Sequence, residues 1–99
     1  MKPGISVRRV MSISHAEFLR SLIPLGKHYP YRIDESEGRI LLTDHDRQIE
    51  IRLGREGRRR LGALELPETA VDFHFHASDP TTVERFFARF DLCFRRGGG

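Results

Sequence analysis

Thr69 to Phe94 constrains this chain more than any other stretch, because it reads as one strand running into one long helix. In Val71-Asp72-Phe73-His74-Phe75-His76 apolar and polar residues alternate strictly, the period-2 pattern of a half-buried strand. Val71, Phe73 and Phe75 fall on one face, and Asp72, His74 and His76 on the other. Ser78-Asp79-Pro80 then offers a capping oxygen, with proline at the first helical position where its missing N–H is no loss. Val83, Phe86, Phe87, Phe90 and Phe94 recur at helical spacing and form one apolar stripe. Six of the seven phenylalanines lie in this stretch, so most of the large core side chains come from it. The remaining elements must be placed to cover them.

Upstream, Ser14-His15-Ala16-Glu17 is a capping box, with Ile13 and Phe18 spaced for a hydrophobic staple. It predicts a helix from His15 to Leu22 with Phe18, Leu19 and Leu22 inward, ended by Pro24, which disfavours helical geometry at Ile23. Strand-like runs follow at Tyr31–Ile33, Arg39–Thr43 and Arg47–Leu53. They are separated by the Asp34–Gly38 loop and by a tight polar turn at Asp44-His45-Asp46, with Gly54 and Gly57 bracketing a further turn. Arg58 to Leu66 has apolar residues on both faces, and the pattern does not fix its register. Short polar turns demand antiparallel neighbours. The expected fold is therefore a two-layer α+β domain: a four-stranded antiparallel meander with an N-terminal and a C-terminal helix on one face, in the order α-β-β-β-β-α. Residues 1–11 lack a convincing period and read as a flexible N-terminal tail, with an edge strand through Ile5, Val7 and Val10 as the alternative. Residues 12–96 then form a single domain, and residues 97–99 a disordered tail.

Composition narrows the function classes. Ninety-nine residues make one domain. The net charge of +3 and pI near 9.6 are mildly basic, but acidic residues are interspersed throughout. A lone cysteine, Cys93, excludes an intramolecular disulfide and fits a reducing compartment. No apolar run is long enough to span a membrane. Nor does an apolar segment follow the basic residues Lys2, Arg8 and Arg9 as in a secretory signal, so a cytoplasmic protein is expected. A glycine-rich phosphate loop, a nucleophile elbow and a CxxC pair are all missing from the sequence. The sequence thus offers no catalytic residue and implies no cofactor, leaning away from an enzyme.

Three constellations remain. The string Val71-Asp72-Phe73-His74-Phe75-His76-Ala77-Ser78-Asp79 resembles the opening motif of the polymerase-and-histidinol-phosphatase metal-dependent hydrolases. That resemblance implies His74 and His76 as metal ligands supported by Asp72. It also implies a much longer barrel whose later strands add further ligands, whereas no histidine follows His76 here. A smaller metal site would join His74 and His76 with His45, Asp44 or Asp46. Against it, either plausible hairpin register sets Arg59 or Arg60 opposite His76. A basic hairpin, Arg52, Arg55, Arg58, Arg59 and Arg60, with Arg95 and Arg96 beyond, is the footprint of a nucleic-acid-binding domain. Glu50, Glu56, Glu65 and Glu68 interrupt it, and no exposed strand position offers an aromatic platform for bases. The third is the sheet face that two helices leave uncovered, carrying Arg39, Leu41, Gln48, Glu50, Arg52, Asp72, His74 and His76. It gives the leading expectation: a small non-enzymatic module that binds a protein partner or self-associates, for instance as a homodimer, through that face or an edge. Nucleic-acid binding at Arg52–Arg60 is the alternative, and a metal-dependent site at His74 and His76 the second alternative.

Overall fold

The computed structural model describes residues 4–95. In chain order the elements are β1 (Ile5–Met11), α1 (His15–Leu25), β2 (Tyr31–Asp34), β3 (Arg39–Asp44), β4 (Arg47–Leu61), β5 (Leu64–Phe75) and α2 (Pro80–Cys93). The strands form one antiparallel sheet in the order β1-β5-β4-β3-β2. Both helices pack on the side to which Ile40, Leu42, Ile49, Ile51, Val71, Phe73 and Phe75 point. The α+β class and the antiparallel sheet are as expected, but the sheet has five strands.

The extra strand comes from the N-terminus. Residues 5–11 are not a flexible tail: they pair with β5 from Ile5↔Phe75 to Met11↔Thr69, so the domain begins before residue 12. Ile5, Val7 and Met11 pack against the core, with Arg9 at the third of the four alternate positions. Arg9 breaks the apolar period in sequence but keeps it in space. Its guanidinium lies 4.0 Å from the Phe87 ring centre, and Nη1 donates to Asp91 at 2.6 Å, so an amphipathic side chain fills an apolar slot with its stem and ring-stacked head. Val10, named with Ile5 and Val7 for the alternative edge strand, belongs to it but points to the opposite side from them and is exposed.

The hairpin also differs. Gly54 and Gly57 do not bracket a turn, because β4 continues through both for 15 residues in all. Leu53 faces Val71 and Glu56 faces Thr69, leaving Gly54 and Arg55 opposite Ala70 alone, a β-bulge. A Cβ on Gly54 would lie 3.1 Å from the Ala70 carbonyl oxygen, which accounts for glycine at that position. His15 secures the bulge: its Nε2 donates to the Gly54 carbonyl at 2.7 Å, while its backbone N–H donates to Glu56 Oε1 at 2.8 Å. The reversal comes at Gly62-Ala63, where Gly62 adopts the positive φ of +61° that a two-residue hairpin places on glycine.

The capping box at Ser14 and Glu17 forms as expected, and Ile13 and Phe18 are both buried. Helix α1 runs past Pro24 to Leu25, because a proline in the last turn forfeits one hydrogen bond and Leu25 is fully buried in return. The buried stripe of α1 is Phe18, Leu22 and Leu25, and Leu19 is exposed rather than inward. Helix α2 starts at the Asp79 cap, whose side chain accepts from Thr82 N, followed by Pro80. The expected tail at residues 97–99 lies outside the described residues.

Phe73 meets the rings of Phe86, Phe87 and Phe90 at centroid separations of 6.2, 4.9 and 5.2 Å, all edge-on. Phe75 meets Phe86 at 5.3 Å and Phe87 at 5.7 Å. Phe90 also stacks on Phe94 at 4.0 Å. Truncating Phe90 to alanine removes the ring at the centre of this network and is expected to cost about 3–5 kcal/mol in a urea unfolding experiment. Ser14→Ala, which frees first-turn N–H groups, is expected to lose about 1 kcal/mol in the same assay.

Candidate functional site

The alternation that buries Val71, Phe73 and Phe75 turns Asp72 and His74 to the uncovered side, and antiparallel pairing carries the pattern across the sheet. One row reads Arg8, Asp72, Arg52, Arg39, Asp34 and the next Ser6, His74, Glu50, Leu41, Arg32. All the charges in these rows except Arg32 are paired. Arg8 Nε donates to Asp72 at 2.8 Å, Arg52 Nε to Glu50 at 2.6 Å, and Arg39 reaches Glu50 at 3.3 Å and Asp34 at 3.4 Å. The Arg52 hydrogen bond is the main reason the Glu50 carboxyl lies below its ordinary value, with Arg39 adding to it and burial opposing. The only apolar member, Leu41, is buried between Arg32 and Glu50, whose stems can cover it. The depression of about 280 Å³ lined by Ser6, Arg8, Glu50, Arg52, Asp72 and His74 therefore has paired walls.

Of the sequence-derived metal ligands, His74 and His76 come together, with ring centres 4.3 Å apart. His74 Nδ1 shares a 2.8 Å hydrogen bond with Ser6 Oγ and has Glu50 opposite it, while the His76 N–H donates to the Gln48 carbonyl at 3.1 Å, so glutamine and not arginine neighbours His76 on β4. Arg59 and Arg60 face Leu66 and Glu65 instead; the bulge and the late turn carry them away from His76. His45 sits on the turn between β3 and β4 with φ +59° and lies 3.9 Å from Asp44. Among the described residues no group of three histidine, cysteine or acidic side chains is placed to hold a metal ion. Asp72, which the hydrolase resemblance would set behind the histidines, pairs with Arg8. Cys93 is half-buried at the core margin.

Beyond the bulge the β4–β5 hairpin leaves the sheet. Neither β3 nor β1 follows it, since their pairing stops at Arg39↔Arg52 and at Met11↔Thr69. Gly57–Leu61 with Leu64–Glu68 thus extends roughly 17 Å as a bare two-stranded ribbon, at about 3.4 Å per residue, and the molecule measures 50 × 30 × 21 Å. The expected basic cluster is spread over this ribbon. Arg52 lies back on the sheet, Arg55 at the bulge, Arg58 and Arg60 on the helix side, and Arg59 on the uncovered side. Arg58 meets Glu65 at 3.5 Å and Arg59 meets Glu68 at 3.8 Å. What the sequence does not single out is the rest of the uncovered side. Leu61 and Leu64 at the tip are 48 % and 63 % exposed, Leu66 follows behind them, and Val10 of β1 is 62 % exposed at the base. A hairpin register closing at Gly62 was the signal that would have gathered them.

With the geometry in place, comparison with protein-family models, with curated proteins and with solved structures finds no match for this chain. No helix among the described residues is long and apolar enough to cross a membrane.

Two measurements check these assignments. Purified protein is expected to carry no stoichiometric zinc, manganese or iron by elemental analysis, with a melting temperature unmoved by chelator; tightly held metal lost in a His74→Ala, His76→Ala double variant would restore the metal site. Glu50 gives a pH signature. A depressed folded pKa contributes stability that is complete above the ordinary glutamate value of 4.5 and is lost as pH falls below it through the folded value. Glu50→Gln is therefore expected to flatten the acid limb of the urea midpoint between neutral and acidic pH.

Proposed function

We propose that this protein is a non-enzymatic binding module that meets a protein surface through the ribbon face continuous with the uncovered side of the sheet. The observation that carries the reading is the exposure of Leu61, Leu64 and Val10 on that one side. A two-stranded ribbon with no third strand is marginal in water, and apolar side chains held out on one become favourable once a partner removes them from solvent.

The face, and not the edge, is the reactive part. A two-residue turn makes Leu61 and Leu64 a hydrogen-bonded pair, so the next pair, Arg60/Glu65, and then Arg58/Pro67 direct their backbone groups outward. On β5 the outward N–H at position 67 is missing because the residue is proline. On β4 the outward positions carry Arg58 and Arg60. Proline and long charged side chains are the usual guards against strand addition. Nucleic-acid binding is less well supported: the ribbon arginines divide between two faces, Arg58 and Arg59 sit against glutamates, and neither face of the ribbon offers an aromatic ring. A free, half-buried Cys93 suits a reducing setting, and we assign the protein to the cytoplasm on that ground.

Fluorescence anisotropy with a random oligonucleotide pool tests the choice. The protein is expected to show no binding at micromolar concentration in ~50 mM salt. Binding that fell steeply between ~50 and ~200 mM salt, and that vanished in an Arg58→Gln, Arg60→Gln variant, would replace the protein-contact reading with the nucleic-acid one.

A further inference from the structure

The uncovered face of the ribbon changes character along its length in a way that suits one particular occupant. From the tip inward its successive levels are Leu61 with Leu64, Arg59 with Leu66, Gly57 with Glu68, and the bulge, where Ala70 faces Gly54 and Arg55. Val10 flanks Ala70 from β1. The tip is therefore bulky and apolar, the middle carries Leu66 and the Arg59–Glu68 ion pair at 3.8 Å, and the base combines the small Gly54 and Ala70 with the exposed Arg55 beside them. At the base a Cβ on Gly54 would meet the Ala70 Cβ at 3.6 Å, so glycine leaves that part of the surface low.

We infer that the occupant is a second copy of this chain, packed face to face and antiparallel about a two-fold axis that passes between the Arg59 and Gly57 levels. The inference rests on the reading of this face as a protein contact. A two-fold axis at that height sets the tip of each copy on the base of the other and the Arg59/Leu66 level on the Gly57/Glu68 level, the reciprocal contact that an isologous interface requires. Leu61 and Leu64 of one copy fall on Ala70, Gly54 and Val10 of the other, filling the low base with the bulky tip. Arg59 of each copy falls over Gly57 and beside Glu68 of the other, so the ion pair that each copy makes internally at 3.8 Å extends into a four-charge network across the two-fold. Shifting the axis by one level toward the tip would set Leu61 and Leu64 against Arg59 and Leu66. Shifting it one level toward the base would carry them onto the polar row of Glu50 and His74, and the Arg59 level onto the ion-paired row of Arg52 and Asp72. Both alternatives lose the apolar match. The guarded edges described above exclude the competing mode in which two ribbons join into one continuous sheet.

Sedimentation velocity on the 99-residue chain over a wide concentration range, with a thermal melt by circular dichroism for each variant, tests the inference. The parent is expected to form a reversible dimer. Leu64→Glu, at an exposed tip, is expected to keep the parent's melt at low concentration and to weaken the dimer roughly a hundredfold, the size of a hot-spot loss. The charges give a test that a purely structural role would not pass. Arg59→Glu sets two glutamates against each other at both ends of the two-fold, and Glu68→Arg sets two arginines, so each variant alone is expected to be monomeric. An equimolar mixture of the two restores both opposite-charge contacts and is expected to sediment as a mixed dimer. A parent that stays monomeric at every concentration would overturn the second copy as occupant while leaving the protein-contact reading to the oligonucleotide test. A parent dimer that tolerates Leu64→Glu would overturn the face itself, and with it both inferences. Failure of the mixture to associate, with Leu64→Glu still disruptive, would overturn the two-fold placement.

Discussion

The structure depends on the edge-on packing of Phe73 and Phe75 against Phe86, Phe87 and Phe90. These rings join the end of the sheet to the helix that follows it, across a turn of only four residues from His76 to Asp79. Because β5 is flanked by β1 and β4, fixing α2 on it fixes which side of the whole sheet is dry. α1 then has one place to go, and Phe18 enters beside Phe94 and Phe90 at 4.7 and 6.1 Å. Even β1 is held from this centre, through the stack of Arg9 on Phe87.

The uncovered side follows from the same constraint. Two helices can dress only one face of a sheet, so the other must be made tolerable in water. It is made so by alternating charge across strands, with Arg8, Asp72, Arg52, Glu50, Arg39 and Asp34 joined in pairs. Each such pair, partly exposed, adds little stability. Their effect is to leave that part of the face with little unmet electrostatic demand. The ribbon beyond the bulge has no such dressing at its tip, and this contrast directs the functional reading away from the central histidines and toward Leu61 and Leu64. The contact from His15 to Gly54 and Glu56 joins the start of α1 to the base of the ribbon, so the projecting hairpin is rooted in the core layer.

Local pattern was legible in sequence wherever one short-range rule acted alone. The capping box at Ser14, the Asp79-Pro80 start of α2, the phenylalanine stripe and the alternation at 71–76 each depend on residues a few positions apart, and each stands as read. The uncovered face was legible too, since period 2 assigns Asp72 and His74 to it once Val71 and Phe73 are inside. The errors arose where a distant partner outweighed a local preference. Arg9 looked like an interruption until Phe87 and Asp91 supplied its surroundings. Pro24 looked like a stop until the burial of Leu25 carried the helix one residue beyond it. Gly54 and Gly57 looked like turn residues, whereas His15 and the close approach of Ala70 make the first of them the site of a bulge.

The class of fold, the strand and helix that supply its core, and the side of the sheet left to solvent are encoded locally, because hydrophobic periodicity and capping chemistry act over a few residues. The strand count, the register of the long hairpin and the grouping of side chains on it follow instead from pairing between distant segments. A one-residue bulge moves every later side chain relative to its partner strand, and no local signal records it. That shift put Arg52 on the opposite face from Arg58 and Arg60 and brought Leu61 onto one face with Leu64, Leu66 and Val10.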